Sequence, residues 1–210
     1  FLHLGMSGRI TVTDAPPAEY QKHDHLVMIM QDGTTMTFND ARRFGMVGLA
    51  ETSFIDQHKF FAHLGPDPYS NDFSPAYLAE KFTGKKTPVK NALLNQQIVT
   101  GIGNIYAAEA LYESNIDPRR PAADIENSEI NRLCSAIRLV LDKAITAGGS
   151  SLRDYAQTNG EMGYFQHQWA VYNKKGLACP DCNCEVHVTG GIQKITQGGR
   201  STFFCPRRQN

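Results

Sequence analysis

The 210-residue sequence has no apolar run that approaches the ~20 residues needed to cross a bilayer. It has no charged-then-apolar leader at its start either. Net charge is missing too: Lys plus Arg and Asp plus Glu number 21 each, so bulk charge points to no polyanionic partner. Internal repeats and low-complexity tracts are absent, which excludes a solenoid or a compositionally biased tail. Cysteine is scarce and unevenly placed. Cys134 stands alone in a helical pattern, whereas Cys179, Cys182, Cys184 and Cys205 crowd the last part of the chain. Without a secretory leader, such a cluster favours metal binding over disulfides. The first residue is Phe1, not Met, inside a run (Phe1-Leu-His-Leu-Gly5) that reads as mid-strand. The expectation is a fragment of a longer chain.

Apolar and charged fractions, 41% and 20%, are those of a globular protein, long enough for one large domain or two small ones. Charge is distributed unevenly. From residue 166 onward Lys174, Lys175, Lys194, Arg200, Arg207 and Arg208 face only Asp181 and Glu185. A basic end on a neutral chain points modestly to an anionic partner, and a solvated tail explains it equally well. Residues 1–62 read as β-structure, with Leu26–Met30 and Thr34–Phe38 flanking Asp32-Gly33, a pair suited to a type I′ hairpin turn. The period then becomes helical. Ser74-Pro75 reads as an N-cap followed by proline at the first helical position. Further helices are predicted over about 88–95, from Asn104, and from Ile130 to Ile145, the last stopped by Gly148-Gly149. Ser151 and Asp154 suggest a short capping box. From about residue 166 the pattern returns to strands, with a hairpin whose tip is Gln197-Gly-Gly-Arg200.

Four segments could carry chemistry. Thr100-Gly-Ile-Gly-Asn-Ile-Tyr106 lies between two helices. Its glycines permit close approach of a phosphate, and Asn104 can cap a helix whose positive end favours an anion. A structural helix–turn–helix corner explains it as well, although Lys85, Lys86 and Lys90 just upstream favour a DNA backbone. Cys179-Pro-Asp-Cys182 has the spacing of a zinc knuckle, and Cys205-Pro-Arg-Arg208 resembles a second knuckle with arginine in its last place. Cys184 or His187 could supply a fourth ligand, and a finger held by packing alone is the alternative. Asp40-Ala-Arg-Arg-Phe-Gly45 puts two guanidinium groups and a ring on one loop, suited to gripping phosphates and wedging between bases. An arginine pair beside a core phenylalanine is the commoner reading of such a segment. His23-Asp-His25 lacks further ligands nearby and reads as structural.

Taken together, His3-Leu-Gly-Met-Ser-Gly8, Lys22-His-Asp-His25, Arg42-Arg-Phe-Gly45, His63-Leu-Gly-Pro66, Gly101-Ile-Gly-Asn-Ile-Tyr-Ala-Ala-Glu109, Gly163-Tyr-Phe165 and Gly199-Arg-Ser-Thr-Phe-Phe-Cys205 resemble the formamidopyrimidine-DNA glycosylase family in order and spacing, from residue 1 to 210. The resemblance implies an α+β fold in three parts. These are the remainder of an N-terminal β-sandwich (1–65), a helix–two-turn–helix domain (66–165) and a C-terminal zinc-finger-like β-hairpin (166–210), with DNA in the cleft between two lobes. It implies excision of oxidised purines from double-stranded DNA, followed by β,δ-elimination at the abasic site. The chain would act as a monomer in the bacterial cytoplasm, at the nucleoid, with no membrane partner. Met6, Arg42 and Phe44 would fill the gap left by the extruded nucleotide, with Arg42 addressing the estranged base. His23 and Arg43 would contact DNA nearby, Lys85, Lys90 and Asn104 would bind phosphates, and the segment around 159–164, including Tyr164, would close over the extruded base. Arg200 would grip phosphates at the lesion and assist elimination. Cys179, Cys182, Cys205 and Cys184 would hold structural zinc.

The departures from the family pattern lie at the two ends. The family's nucleophile is an N-terminal proline, helped by an adjacent glutamate and a lysine on a downstream hairpin. All three precede the His3–Gly8 motif, so the 210 residues alone are expected to bind damaged DNA without excising a base. Arg208 stands where the fourth zinc cysteine would be. A non-catalytic binder of damaged DNA with the same fold is the alternative class. A sister branch preferring oxidised pyrimidines is disfavoured by the complete Met6, Arg42, Phe44 trio.

Overall fold

The structure is a computed structural model that describes residues 1–5, 7–150, 158, 163–182 and 185–209. Met6, the Ser151–Asp154 capping box, residues 159–162 of the expected closing segment and Cys184 lie outside the described residues. The chain divides into two compact units. Unit 1 comprises Phe1–His58 with Ala144–Gln168, and unit 2 comprises Lys59–Lys143 with Trp169–Asn210.

Unit 1 is built on antiparallel strands. β1 (Leu2–His3) pairs with β5 (Met46–Val47), and a second sheet has the order β2 (Arg9–Thr13), β4 (Thr35–Asn39), β3 (Asp24–Ile29). Thr37 lies opposite Thr11 on one side and Val27 on the other. The β3–β4 hairpin forms where the sequence predicts it, but its turn is different. Gly33 N–H donates to the Met30 carbonyl (3.1 Å) and Met30 N–H to the Thr34 carbonyl (2.8 Å), so three residues form the loop. Only Gly33 has positive φ, at 90°. This is a type I turn closed by a left-handed glycine, which spares Asp32 the strained φ that a type I′ turn would impose.

Unit 2 is helical, with a hairpin at its end. α1 (Pro75–Phe82) begins as predicted, with Ser74 Oγ accepting from Tyr77 N–H (3.2 Å) and Pro75 at the first helical position. α2 (Val89–Leu93), α3 (Asn104–Glu113) and α4 (Asn127–Thr146) follow, α4 continuing into unit 1 at Ala144. The fully buried side chains of this unit include Phe73, Leu78, Phe82, Leu93, Leu111, Leu133 and Ile137. Gly148 and Gly149, both at positive φ, end α4 as predicted. Where the sequence reads as a return to strands after residue 166, the chain instead makes a 3₁₀ turn (Phe165–His167) and later a short helix, α5 (Val186–Thr189). Only then do β6 (Gln193–Gln197) and β7 (Arg200–Phe204) pair. Gly198 and Gly199 both have positive φ, as a two-residue primed turn requires.

The segment leading to the hairpin has little regular structure, and one side chain fixes its start. Glu109 of α3 accepts backbone N–H groups from Ala170 (2.6 Å), Val171 (3.0 Å) and Tyr172 (2.8 Å). Its carboxylate is nearly inaccessible to water, so those donors have no ready substitute. Each buried donor left without a partner costs about 1–3 kcal/mol. Glu109→Leu should therefore lower unit 2 stability by about 3 kcal/mol or more, read from urea unfolding followed by Trp169 fluorescence, whereas Glu109→Gln, which keeps an acceptor, should cost less. A Glu109→Leu protein as stable as Glu109→Gln would show that the three donors find other partners.

Candidate nucleic-acid interface and thiolate cluster

In unit 1 the loop after β4 is organised by Asp40. Its Oδ1 accepts from Ser7 Oγ (2.7 Å) and Arg42 N–H (3.2 Å), and its Oδ2 accepts from Gly45 N–H (2.7 Å). These donors, led by the Ser7 hydroxyl, hold the Asp40 carboxyl below the usual carboxylate range against the opposing effect of burial. The knot closes residues 40–45 into a tight bend. A side chain at Gly45 would meet Phe38 Cζ at 2.6 Å and the His3 carbonyl at 2.8 Å, so only glycine fits there. Arg42, Arg43 and Phe44 are turned outward. Phe44 is 55% exposed, and the Arg42 guanidinium lies 4.8 Å from its ring centroid. Arg43 sits at φ 57° and His23 at φ 78°, left-handed conformations that non-glycine residues seldom adopt. The His23 carbonyl accepts Asp40 N–H (3.0 Å), which ties His23 to the base of the same loop. His25 Nε2 lies 2.9 Å from the Asp40 carbonyl, in keeping with the structural reading of the His–Asp–His run. A solvent-facing ring with the Arg42 guanidinium against it and a second exposed arginine next in the chain, on a braced loop, is suited to insertion between bases with cations beside the backbone.

In unit 2 a second set converges where α2, α3 and β7 meet. Lys90 is fully buried, and its Nζ donates to Asn104 Oδ1 (2.6 Å) and lies 3.5 Å from the Ser201 carbonyl. Asn104 Nδ2 donates to the same carbonyl (3.0 Å) and to the Tyr172 hydroxyl (3.1 Å). Asn104 is the first helical residue, and Gly103 takes the N-cap position without a side-chain cap. The asparagine thus tethers β7 to α3 instead of capping the helix. Burial first, and the nearby Arg200 guanidinium second, push the Lys90 pKa down to about 8. Arg200 itself is exposed, and with Asn91, Leu94, Asn95 and Gly198 it lines a groove of about 300 Å³. Lys85 is half-buried just after α1. The Gly101–Gly103 turn before α3 is held by Gln96, whose Oε1 accepts Gly101 N–H (2.9 Å) and whose Nε2 donates to the Ile102 carbonyl (3.1 Å). Tyr164, in unit 1, is exposed, and its N–H donates to the Ala147 carbonyl (2.9 Å).

The sulfur atoms of Cys179, Cys182 and Cys205 lie within 4.8 Å of one another, with Cys179–Cys182 at 2.9 Å and Cys182–Cys205 at 3.6 Å. Backbone N–H groups of Asp181 and Cys182 point at the Cys179 sulfur, and those of Arg207 and Arg208 at the Cys205 sulfur. Both turns thus have the form of metal-binding knuckles, and the three cysteines could bind a metal. Among the described residues no fourth His, Cys, Asp or Glu joins them. His187 instead lies 3.7 Å from Glu185 in an exposed pair. Cys134 is buried in α4, and its thiol is pushed up to about 11 by burial, as befits a core residue.

The structure therefore gathers Arg42, Arg43, Phe44 and His23 on one unit, and Lys90, Asn104 and Arg200 on the other. Sequence reasoning passed over the groups that hold them, namely Ser7, Asp40 as an acceptor, Gln96, Glu109 and Tyr172. Only Asp40 left a signal, since an aspartate two residues before an exposed arginine is a common turn former.

Residues 1–47 match the model of the formamidopyrimidine-DNA glycosylase N-terminal domain, and residues 64–156 match that of the formamidopyrimidine-DNA glycosylase H2TH domain. The chain is 50% identical to the formamidopyrimidine-DNA glycosylase of Rhodospirillum rubrum over 209 residues, covering 99% of this chain and 74% of that protein. It is 49% identical to the enzyme of the same name from a Ruegeria species, covering 99% and 75%. Among solved structures, it is similar to Lactococcus lactis Fpg in complex with DNA containing an abasic site, with a TM-score of 0.86, 34% identity, and coverage of 100% of this chain and 74% of that one. It is also similar to MutM in complex with DNA containing carbocyclic 8-oxo-G, with a TM-score of 0.84, 35% identity and coverage of 100% and 73%.

The Asp40 knot has a defined pH dependence. A carboxyl whose folded pKa is depressed adds stability that is present above its ordinary value of about 4 and is lost as pH falls through the depressed one. Asp40→Asn should lower the Gly45 amide protection factor and the thermal midpoint at pH 6. The gap in midpoint from the unsubstituted chain should close as pH drops below the ordinary carboxylate range. A gap that persists into strong acid would mean that the Asp40 charge does not hold the loop.

Proposed function

The chain belongs to the formamidopyrimidine-DNA glycosylase family, and from that premise we propose that it serves base-excision repair as a DNA glycosylase and abasic-site lyase. Its substrates are oxidised purines, 8-oxoguanine and formamidopyrimidines, in double-stranded DNA, and strand cleavage follows by β,δ-elimination. The observation that carries this reading is the Asp40-braced loop, which presents Arg42 and the exposed Phe44 ring together. The relatives' names agree with it: solved neighbours hold DNA with Fapy-dG, an abasic site or carbocyclic 8-oxo-G.

A damaged base inside a duplex is out of reach of a protein nucleophile, so the nucleotide must be extruded, at a cost of a few kcal/mol. The chain's residues offset that cost. Phe44 stacks on an exposed base face, worth about 1–3 kcal/mol. Arg42 donates to the edge of the estranged base, worth a similar ~1–3 kcal/mol when bidentate, and Met6 supplies apolar fill beside them. Arg43, His23 and Lys85 meet the backbone, which fixes register without reading sequence. Lys90, being buried, acts through Asn104: it fixes the amide and adds positive potential beneath Arg200. Arg200 grips phosphates at the lesion and stabilises the charge that develops during elimination. Tyr164 belongs to the segment that closes over the extruded base. In this reading residues 1–65 are sandwich, 66–165 the helix–two-turn–helix domain and 166–210 the finger, and the protein works as a monomer in the bacterial cytoplasm, at the nucleoid.

Fluorescence anisotropy on three otherwise identical duplexes tests the reading, one undamaged, one with 8-oxoguanine opposite cytosine, and one with a tetrahydrofuran abasic analogue. Binding to the abasic duplex should be at least about tenfold tighter than to the undamaged one, the low end of typical specific-over-nonspecific ratios being well above that. Arg42→Ala should reduce this preference, and Arg200→Ala should weaken binding to all three duplexes. Equal affinity for damaged and undamaged DNA would reject the assignment.

Cys179, Cys182 and Cys205 hold a structural zinc ion in this reading, with Cys184 as the fourth ligand. When bound, zinc would cross-link the two knuckles and take no part in the chemistry at DNA. Metal analysis should give about one zinc per chain, retained in Cys134→Ser and lost in Cys184→Ser. Retention in Cys184→Ser would remove Cys184 from the site.

A further inference from the structure

The spacing of Cys205-Pro-Arg-Arg208 puts a guanidinium where a second knuckle would place its last thiol. The side chain has found other partners. Arg208 Nη1 lies 3.1 Å from Asp181 Oδ2, and Asp181 sits inside the first knuckle, between Cys179 and Cys182. The guanidinium carbon also lies 4.6 Å from the ring centroid of Tyr112, a fully buried residue of α3. The Tyr112 hydroxyl donates to the same Asp181 Oδ2 (3.2 Å) and accepts from Asp181 N–H (3.3 Å). Guanidinium, carboxylate and phenol thus form a closed triangle linking both knuckles to α3. Surface ion pairs contribute little, but the Arg208 side chain is only 20% exposed, and its Nε is buried without a hydrogen-bond partner. The guanidinium lies on an aromatic face, where its own burial strengthens the cation–π contact, while the Asp181 side chain is 51% exposed and its half of the ion pair stays partly screened by water.

The next residue extends the same tie. Gln209 is buried, its Oε1 accepts Cys205 N–H (2.8 Å), and its Nε2 donates to the Ile116 carbonyl (2.8 Å). β7 ends at Phe204 and begins at Arg200, so whatever holds residues 205–209 also holds the strand that presents Arg200.

We propose that Arg208 is a positioning residue which closes the second knuckle at the place where that knuckle would otherwise carry a second thiol of its own. Its ion pair with Asp181, laid on the Tyr112 ring, seats the Arg200 hairpin on α3 whether or not zinc is bound. The inference rests neither on DNA binding nor on the identity of the fourth zinc ligand.

Trp169, the sole tryptophan, is buried and meets the Tyr172 ring edge-on at 5.0 Å, so its emission reports the seat of the finger without any DNA present. The 210-residue chain is stripped of metal with a mercurial and a chelator under reducing conditions, and its emission maximum and thermal midpoint are compared before and after. Both should be unchanged in the unsubstituted chain. Metal-free Arg208→Ala should show a red-shifted emission and a lowered midpoint. Arg208→Cys should lose its blue-shifted emission when stripped and regain it when zinc is restored. The charge swap of Asp181→Arg with Arg208→Asp should recover the metal-free seat better than either single change, which keeps the test decisive should Arg208→Ala fail to fold. The proposal is overturned if stripping unseats the unsubstituted finger, if metal-free Arg208→Ala matches the unsubstituted chain, or if the swap is no better than its single changes.

Discussion

A carboxylate taken out of water beside three backbone donors is the constraint on which most of unit 2 depends. Desolvation pushes the Glu109 pKa up, while the N–H groups of Ala170, Tyr172 and Val171 and the charge of Lys174 pull it down. Charge-assisted hydrogen bonds to a buried carboxylate are among the stronger polar contacts, and here they fix three consecutive residues of irregular chain. Glu109 does not act alone on its helix. Asn104, at the start of α3, holds the Ser201 carbonyl and the Tyr172 hydroxyl, and Tyr112, near its end, holds Asp181. One ten-residue helix thus fixes the entry, the first knuckle and the second strand of the terminal module. The module's own apolar cluster, including Val171, Ile192 and Phe203, is small and packs around Tyr112. A core that small contributes little stability alone, which explains why its placement relies on polar ties to a helix.

Unit 1 solves a related problem with the same chemistry. Its strands β1 and β5 are two residues each, too short to define the conformation of the loop between β4 and β5. Asp40 supplies the definition by collecting a hydroxyl and two backbone N–H groups around one carboxylate. The reward is a loop that can keep Phe44 exposed. An exposed aromatic on an unbraced loop would collapse onto the nearest apolar surface, since burying such a ring is worth about 2 kcal/mol. The left-handed φ of Arg43 and of His23 at the base of the same loop fits the tendency of strained backbone to collect where side chains must be aimed.

The division between what the sequence discloses and what it hides follows interaction range. Ser74-Pro75, Gly148-Gly149 and Gly198-Gly199 act within a few residues, and each does in the structure what its local chemistry dictates. The Asp32-Gly33 pair also marks a hairpin, yet its turn type depends on whether Gln31 joins the loop, which pairing register decides and dipeptide preference does not. α5 went unseen because four residues give no periodic signal. In the candidate site, residue types nominate Arg42, Phe44 and Arg200, but do not disclose that Lys90 is buried beside Arg200. Its partners, Asn104 and Ser201, lie 14 and 111 residues away. Glu109 and Asp181 were invisible as organisers for the same reason.

The neutral overall charge has a structural explanation that bears on function. Three acidic groups are matched to cations that the fold itself uses. Asp117 is paired with Arg119 at 2.5 Å, Glu129 with Arg120 at 2.6 Å, and Asp181 with Arg208 at 3.1 Å. In these pairs both charges are committed to holding backbone turns and helix ends, and they contribute little field beyond a Debye length. The cations of the candidate interface are arranged differently. Arg42 faces an aromatic ring, and Arg200 faces a groove and another cation, Lys90. Placing Lys90 next to Arg200 raises the local potential at the cost of a lowered lysine pKa, an arrangement that stability alone disfavours and that an arriving phosphate would relieve. The count of charges in a sequence cannot separate these two uses. Their neighbours can, and it is the neighbours of Lys90, Arg200 and Arg42 that make an electrically neutral chain a credible partner for DNA.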